Sequence, residues 1–195
     1  MSHVINTSKS DLYIINDYLF KDDADVLMHH IQNDLKNTFI INPQGKLFGK
    51  PITFHRSMAF YTNSNIEGYK FSGKRLPITK LSQPLNNLLN KVNEDFNTNF
   101  NAILINIYND GDDYISAHSD DEKELDTTHV IGISLGSSRI FRVKNKNKKE
   151  VLDFPTKHGQ LICMAGEFQS EFTHEIPKSK EHGVRISLTF RKHET

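Results

Sequence analysis

From Asn101 onward the chain is a succession of short apolar segments punctuated by clusters of Gly, Asn, Asp and Lys. Eight segments stand out, at 102–108, 114–118, 130–135, 139–144, 151–154, 160–164, 172–176 and 185–190. Short runs at this spacing, bounded by turn residues, read as the strands of a sandwich or barrel. About eight of them suit a double-sheet jelly roll. The predicted fold class is therefore mainly β with supporting helices, around a double-stranded β-helix (jelly roll) core.

The first hundred residues have a different texture. Ala24, Leu27, Met28, Ile31 and Leu35 recur at helical spacing behind Asp22 and Asp23, which suit a helix start. Ser82-Gln83-Pro84 opens a second helix, with Leu85, Leu88, Leu89, Val92 and Phe96 on one face; serine as cap with proline in the first turn is a start signal. Both helices are expected to brace the back of a sheet. The 195 residues suffice for a buried core and carry no internal repeat or long linker. They read as a single domain, with helical support and recognition elements over about 1–100 and the jelly-roll core over about 101–192.

Bulk properties narrow the setting. No apolar run approaches the length that spans a bilayer, so no membrane association is expected. The start Met1-Ser2-His3-Val4-Ile5-Asn6 lacks the order of a secretory signal. The lone Cys163, within Leu161-Ile162-Cys163-Met164, reads as a small buried hydrophobe. With no intrachain disulfide available, an intracellular location, nucleus or cytoplasm, and a monomer are expected. Lys and Arg (24) balance Asp and Glu (24), which argues against a strongly basic, non-specific nucleic-acid binder. The charge is nonetheless uneven: residues 110–126 hold eight acids and one lysine, while 142–157 hold six basic residues and two acids. That asymmetry permits a phosphate-binding edge, but Lys144, Lys146, Lys148 and Lys149 read first as a solvated hairpin tip.

Within the strand-rich half lies His118-Ser119-Asp120, followed 54 residues after the aspartate by His174. Residues two apart on an extended segment point to one side. A second histidine on a distant strand then completes two imidazoles and one carboxylate, which leave the far side of a metal open as in non-haem Fe(II) sites. Asn109-Asp110-Gly111-Asp112-Asp113 is acidic enough to suggest calcium. Its glycine falls too early for an EF-hand loop and strand signals flank it, so a turn is the better account. Eleven residues after His174 begins Arg185-Ile186-Ser187-Leu188-Thr189-Phe190-Arg191. Its four polar residues share one face of a strand, and a guanidinium meets a carboxylate with two parallel, charge-assisted hydrogen bonds.

Taken in order, Asn106-Ile107-Tyr108, His118-Ser119-Asp120, the stretch Met164 to Gln169, His174 to Lys178 and Arg185 to Arg191 resemble the AlkB family, most closely its animal homologues that repair alkylated duplex DNA. The likeness runs from about Phe48 to Lys192. It departs at Ser187, where the family's end motif carries asparagine. The resemblance implies a Fe(II)- and 2-oxoglutarate-dependent dioxygenase that also consumes O2. His118, Asp120 and His174 would hold the metal, and Asn106, Tyr108, Arg185, Thr189 and Arg191 would hold 2-oxoglutarate. The implied reaction is oxidative demethylation of bases such as 1-methyladenine and 3-methylcytosine in DNA, with 2-oxoglutarate going to succinate and formaldehyde released.

The same homologues suggest a substrate side. Leu47-Phe48-Gly49 resembles their apolar finger, which wedges into a base stack, although Phe48 reads equally as a core residue. Tyr69 and Phe71, with Ser72, resemble their base-recognition strand, an aromatic plate for an extruded base; otherwise they are core aromatics. Asp121 and Glu122 would accept hydrogen bonds from a base's amino group, or form a solvated acidic loop. Lys178 and Lys180 would contact phosphate. The rival readings are the same chemistry on RNA, a protein hydroxylase on the same fold, and a non-catalytic reader of damaged DNA. Intact His118, Asp120, His174, Arg185 and Arg191 speak against the last, since a pure binder needs neither triad nor clamp.

Overall fold

The structure, a computed structural model, describes every residue except Phe48, Ser72, Gly73, Glu181 and Thr195, together with the side chains of all but Leu47, Lys70, Phe71 and Lys74 among the rest. In chain order the elements are β1 (Ser2–Asn6), β2 (Ser10–Ile15), α1 (Lys21–Asn33), β3 (Gln44–Leu47), β4 (Lys50–Thr53), β5 (Ser57–Thr62), β6 (Tyr69–Phe71), β7 (Lys74–Leu76), β8 (Ile78–Thr79) and α2 (Gln83–Phe96). There follow β9 (Ala102–Tyr108), β10 (Ile115–His118), β11 (Leu125–Gly136), β12 (Ile140–Asn145), β13 (Val151–Pro155), β14 (Gln160–Gly166), α3 (Phe168–Glu171), β15 (Phe172–Ile176) and β16 (Arg185–His193). All eight segments read as strands are strands.

Two sheets form the sandwich. The larger has the order β1-β2-β14-β11-β16-β9-β5-β8, and the smaller β10-β15-β12-β13. Alternation along the central strands sorts side chains between two layers. On β11 and β16, Ile131, Ile133, Ile186, Leu188 and Phe190 face the helices and pack with Leu27, Ile31, Leu85, Leu89 and Val92. Each such side chain contributes about 1.5–3 kcal/mol through burial. The opposite face carries Val130, Ile162 and Met164 against Phe141, Val143, Phe172 and Ile176 of the smaller sheet. Gly132, Ser134, Arg185, Ser187, Thr189 and Arg191, which alternate with the helix-facing residues, line a cavity between the sheets. The polar face of β16 is thus an interior wall and not a solvent side.

Helix α1 begins after Phe20 without a side-chain cap and places Asp22 and Asp23 in its first turn, where the helix dipole favours acids. Leu35 lies beyond its end and still packs against the core. At α2 the expected serine cap is not made. Ser82 occupies the N-cap position without a capping bond, and its Oγ lies 2.9 Å from His30 Nε2, tying the two helices together. Asn97 closes α2 in the left-handed conformation at φ 50°, its N–H bonded to the Asn93 carbonyl.

The expected division near residue 100 does not coincide with the sheets, because β1, β2, β5 and β8 all belong to the larger one. β5 is buried along its whole length and pairs with β9 from Ser57↔Ile107 to Thr62↔Ala102. A strand covered on both faces shows no alternation in sequence, so its pattern carried no strand signal. At the hairpin between β12 and β13, Lys148 and Lys149 are exposed as expected. Lys146 instead donates to the Gln169 carbonyl at 2.7 Å and Lys144 pairs with Glu175 at 2.9 Å. Cys163 is buried and free. Among the described residues, no helix is long and apolar enough to cross a membrane.

Candidate metal centre

β10 and β15 run antiparallel and bring His118 opposite His174, with a register irregularity between that pair and Ile115↔Ile176. Asp120 follows β10 and is buried, 1% exposed. One donor atom from each of His118, Asp120 and His174 falls within a group no more than 4.8 Å across. The two histidine Nε2 atoms stand 3.6 and 3.8 Å from the Asp120 carboxylate, and the ring centroids are 4.4 Å apart. These distances are too long for good direct hydrogen bonds and suit three ligands converging on one cation.

Surrounding groups set the ligand state. His118 Nδ1 is 2.8 Å from the Ser116 carbonyl, which can only accept, so that nitrogen carries the proton and Nε2 presents its lone pair. His174 stacks on Phe141 at 5.4 Å. Burial first, then the adjacent His118, pushes its pKa down to about 3, which keeps the imidazole neutral as a ligand must be. For Asp120, burial opposes ionisation, but the Arg191 guanidinium and both imidazoles outweigh it and hold the carboxyl well below the usual range. Arg191 Nη2 donates to Asp120 Oδ1 at 2.6 Å, and the Asp120 N–H donates to Gln169 Oε1 at 2.9 Å.

The centre opens into a cavity of about 620 Å³ between the sheets. Asn106, Tyr108, Arg185, Ser187, Thr189 and Arg191 all line it. Arg185 is 3% exposed, and burial lowers its pKa. Its Nη2 donates to Ser134 Oγ at 2.9 Å, and its guanidinium lies 5.2 Å from the Tyr108 ring centroid. Nε and Nη1 are buried without a hydrogen-bond partner, and no acid pairs with Arg185 among the described residues. A buried cation with two open N–H groups fits a carboxylate ligand. The donor set and this uncompensated charge together fit a hard divalent metal beside an anionic small molecule.

The proposed substrate residues divide. Asp121 and Glu122 line the cavity, and Glu122 Oε1 accepts from the Tyr69 hydroxyl at 2.6 Å. Tyr69 is not the free plate expected. Its ring is stacked on Phe60 at 5.7 Å and lies beneath Arg191 at 5.3 Å, so only part of it reaches the cavity. Lys178 is exposed, pairs with Asp112 at 3.5 Å and sits 5.5 Å from the Tyr114 ring; Lys180 is exposed. Phe48 and Ser72 lie outside the described residues, as does the side chain of Phe71. Arg56, Ser134 and His193 line the cavity without having been singled out. Ser134 and His193 were legible as continuations of the alternating faces of β11 and β16. Gln169 carried no signal, since its contact with Asp120 spans 49 residues.

Comparisons with known proteins agree with this geometry. The family model of the 2OG-Fe(II) oxygenase superfamily matches residues 11–191. DNA oxidative demethylase ALKBH2 of Homo sapiens is 30% identical over 182 residues, covering 88% of this chain and 69% of that protein. Its Bos taurus counterpart is 29% identical over 182 residues, covering 88% of this chain and 65% of the relative, so the chain spans about two thirds of these curated relatives. A prolyl hydroxylase from Trichoplax adhaerens, solved with a hypoxia inducible factor peptide fragment, has a TM-score of 0.66 at 11% identity, over 94% of this chain and 83% of that one. That last likeness is one of fold alone.

Proposed function

The chain belongs to the 2OG-Fe(II) oxygenase superfamily, and on that premise we propose that it removes N-methyl groups from alkylated bases in DNA, of the 1-methyladenine and 3-methylcytosine type. The cofactors of the superfamily are Fe(II), 2-oxoglutarate and O2. The observation that carries the reading is the meeting, in one cavity, of the His118–Asp120–His174 donor set with the uncompensated Arg185. The likeness to ALKBH2, a DNA oxidative demethylase, supports DNA as the substrate polymer.

In this reading His118, Asp120 and His174 hold the metal. When bound, Fe(II) with 2-oxoglutarate and O2 supplies the oxidation of an N-methyl carbon, with succinate, carbon dioxide and formaldehyde as products. Ser116 fixes the His118 tautomer, and Arg191 keeps Asp120 ionised. Arg185, supported by Ser134 and flanked by Tyr108, receives a carboxylate of the co-substrate, with Asn106 and Thr189 on the same wall. Arg56 donates to Asn106 Oδ1 at 2.8 Å and so orients that amide. A base extracted from its stack enters beside Glu122 and Asp121. Their carboxylates accept from an exocyclic amino group and favour a cationic methylated ring. The Tyr69 hydroxyl holds Glu122 in place.

The test is formaldehyde release from matched duplex DNA, single-stranded DNA and RNA oligonucleotides carrying 1-methyladenine, with Asp120→Ala beside the unaltered protein. Turnover on DNA that disappears in the variant is the expected result. Release from RNA alone would move the substrate to that polymer. No release from any oligonucleotide, with metal bound, would overturn the base-demethylase reading.

A further inference from the structure

The metal histidines depend on a one-residue irregularity. From Ile115 to His118 the chain takes three steps along β10, while the facing β15 takes two from Ile176 to His174. The extra residue is a β-bulge, which re-aims the side chains that follow it. In the unbulged register Ala117 would oppose His174, and His118 would point to the other face, because a slip of one residue inverts every side chain. β10 is an edge strand with β15 as its neighbour, so the larger sheet does not fix this register.

The two ends of the ribbon are held differently. At the metal end Ser119 Oγ donates to the Phe172 carbonyl at 2.9 Å. At the far end stands Arg139, 2% exposed, directly before β12. Its Nη2 donates both to the Asp113 carbonyl at 2.8 Å and to the Pro177 carbonyl at 2.7 Å. These carbonyls lie just outside the Ile115↔Ile176 pair, one on each strand. Nη1 reaches the Asp110 carbonyl at 2.9 Å, and Thr156 anchors the arginine's own backbone. A neutral backbone bond from Ser179 to Gly111 at 2.9 Å joins the same two loops. No acid pairs with Arg139 among the described residues, so its buried charge is directed at backbone carbonyls alone.

We propose that Arg139 is a positioning residue: its planar fork fixes the bulged register of β10 against β15 and thereby keeps His118 and His174 facing one metal. This rests on the reading of His118, Asp120 and His174 as the metal ligands. A lysine keeps the charge but lacks the fork that spans three carbonyls, so Arg139→Lys is not a conservative change here.

The experiment titrates Co(II) into the metal-free full-length protein, followed by visible absorption. The unaltered chain is compared with Arg139→Lys, Arg139→Gln, a deletion of Ala117, and Asp120→Ala. Both arginine variants are expected to bind Co(II) about 10- to 100-fold more weakly, the usual effect of removing an outer-shell partner. Their cobalt band should be altered while cooperative melting is retained; a residue serving stability alone would lower the melting point and leave the band of the folded protein unchanged. Folded Arg139 variants with unaltered affinity and spectrum would overturn the proposal. Should the arginine variants fail to melt cooperatively, the Ala117 deletion decides: lost Co(II) binding in a folded protein supports the register argument, and full binding overturns it. Co(II) binding no better in the unaltered chain than in Asp120→Ala would instead overturn the assignment of the metal ligands.

Discussion

Arg185 and Arg191 stand six residues apart on one face of one strand, 3% and 4% exposed, and their surroundings are opposite in charge. Around Arg191 the protein supplies the anion itself. Asp120 accepts its hydrogen bond at 2.6 Å, Glu122 lies 3.6 Å away, and burial's pressure on the guanidinium is outweighed so that its pKa is raised. Around Arg185 there are hydroxyls and an aromatic face but no acid, and burial lowers its pKa. Identical residues in one motif therefore have different jobs. One is a counter-ion within the metal centre, and the other is a receptor for a charge that comes from outside.

The largest effect should come from breaking the Arg191 side. Asp120→Ala removes a metal ligand and leaves a buried guanidinium without its partner. Metal-dependent formaldehyde release should vanish, and the denaturation midpoint should fall by the equivalent of about 3–5 kcal/mol. Retained turnover would mean that Asp120 is not a ligand.

Next comes the direct comparison of Arg191→Met with Arg185→Met. The first strands Asp120 and should cost stability on the same scale of about 3–5 kcal/mol. The second removes an uncompensated buried charge and should leave stability unchanged or raise it. Its cost should appear as a higher KM for 2-oxoglutarate, by the equivalent of about 1.5–3 kcal/mol for a charged hydrogen bond. Equal losses of stability in urea titrations of the two variants would erase the distinction.

Acid sharpens the contrast further. His193, on the Arg191 side, is pushed down to about 4 by burial and then by the Arg191 charge. An unfolded histidine takes up its proton near pH 6.5. Between about pH 6.5 and pH 4 the unfolded state thus binds the extra proton, and stability falls as pH falls. His193→Leu should flatten that part of a stability-against-pH curve; an unchanged slope would show that other groups set it.

Smaller effects belong to the rim. Tyr69→Phe removes the hydroxyl that holds Glu122 and should weaken oligonucleotide affinity by about 0.5–1.5 kcal/mol, with the KM for 2-oxoglutarate unmoved. Lys178→Ala should lower the salt dependence of DNA binding by about one unit of slope, measured by anisotropy across a salt series. Identical slopes would remove Lys178 from the phosphate contacts.

What the sequence determined was the part written in local periodicity and residue type. The eight strands of the C-terminal half, the helix stripes at Leu27 and Leu89, the His118–Asp120 pair and the polar alternation of β16 are all local signals, and the resemblance supplied the distant His174. What only the tertiary structure decided were matters of register and neighbour. Alternation gives Arg185 and Arg191 the same face but not the same partner, because Asp120 comes to Arg191 from 71 residues away. β5 carries no periodic pattern because both its faces are covered, and Tyr69 became a supporting residue because Phe60 and Arg191 occupy its ring. Most of all, the bulge in β10 exists only against β15. A one-residue offset between two strands is invisible in either strand alone, yet it sets whether His118 faces His174.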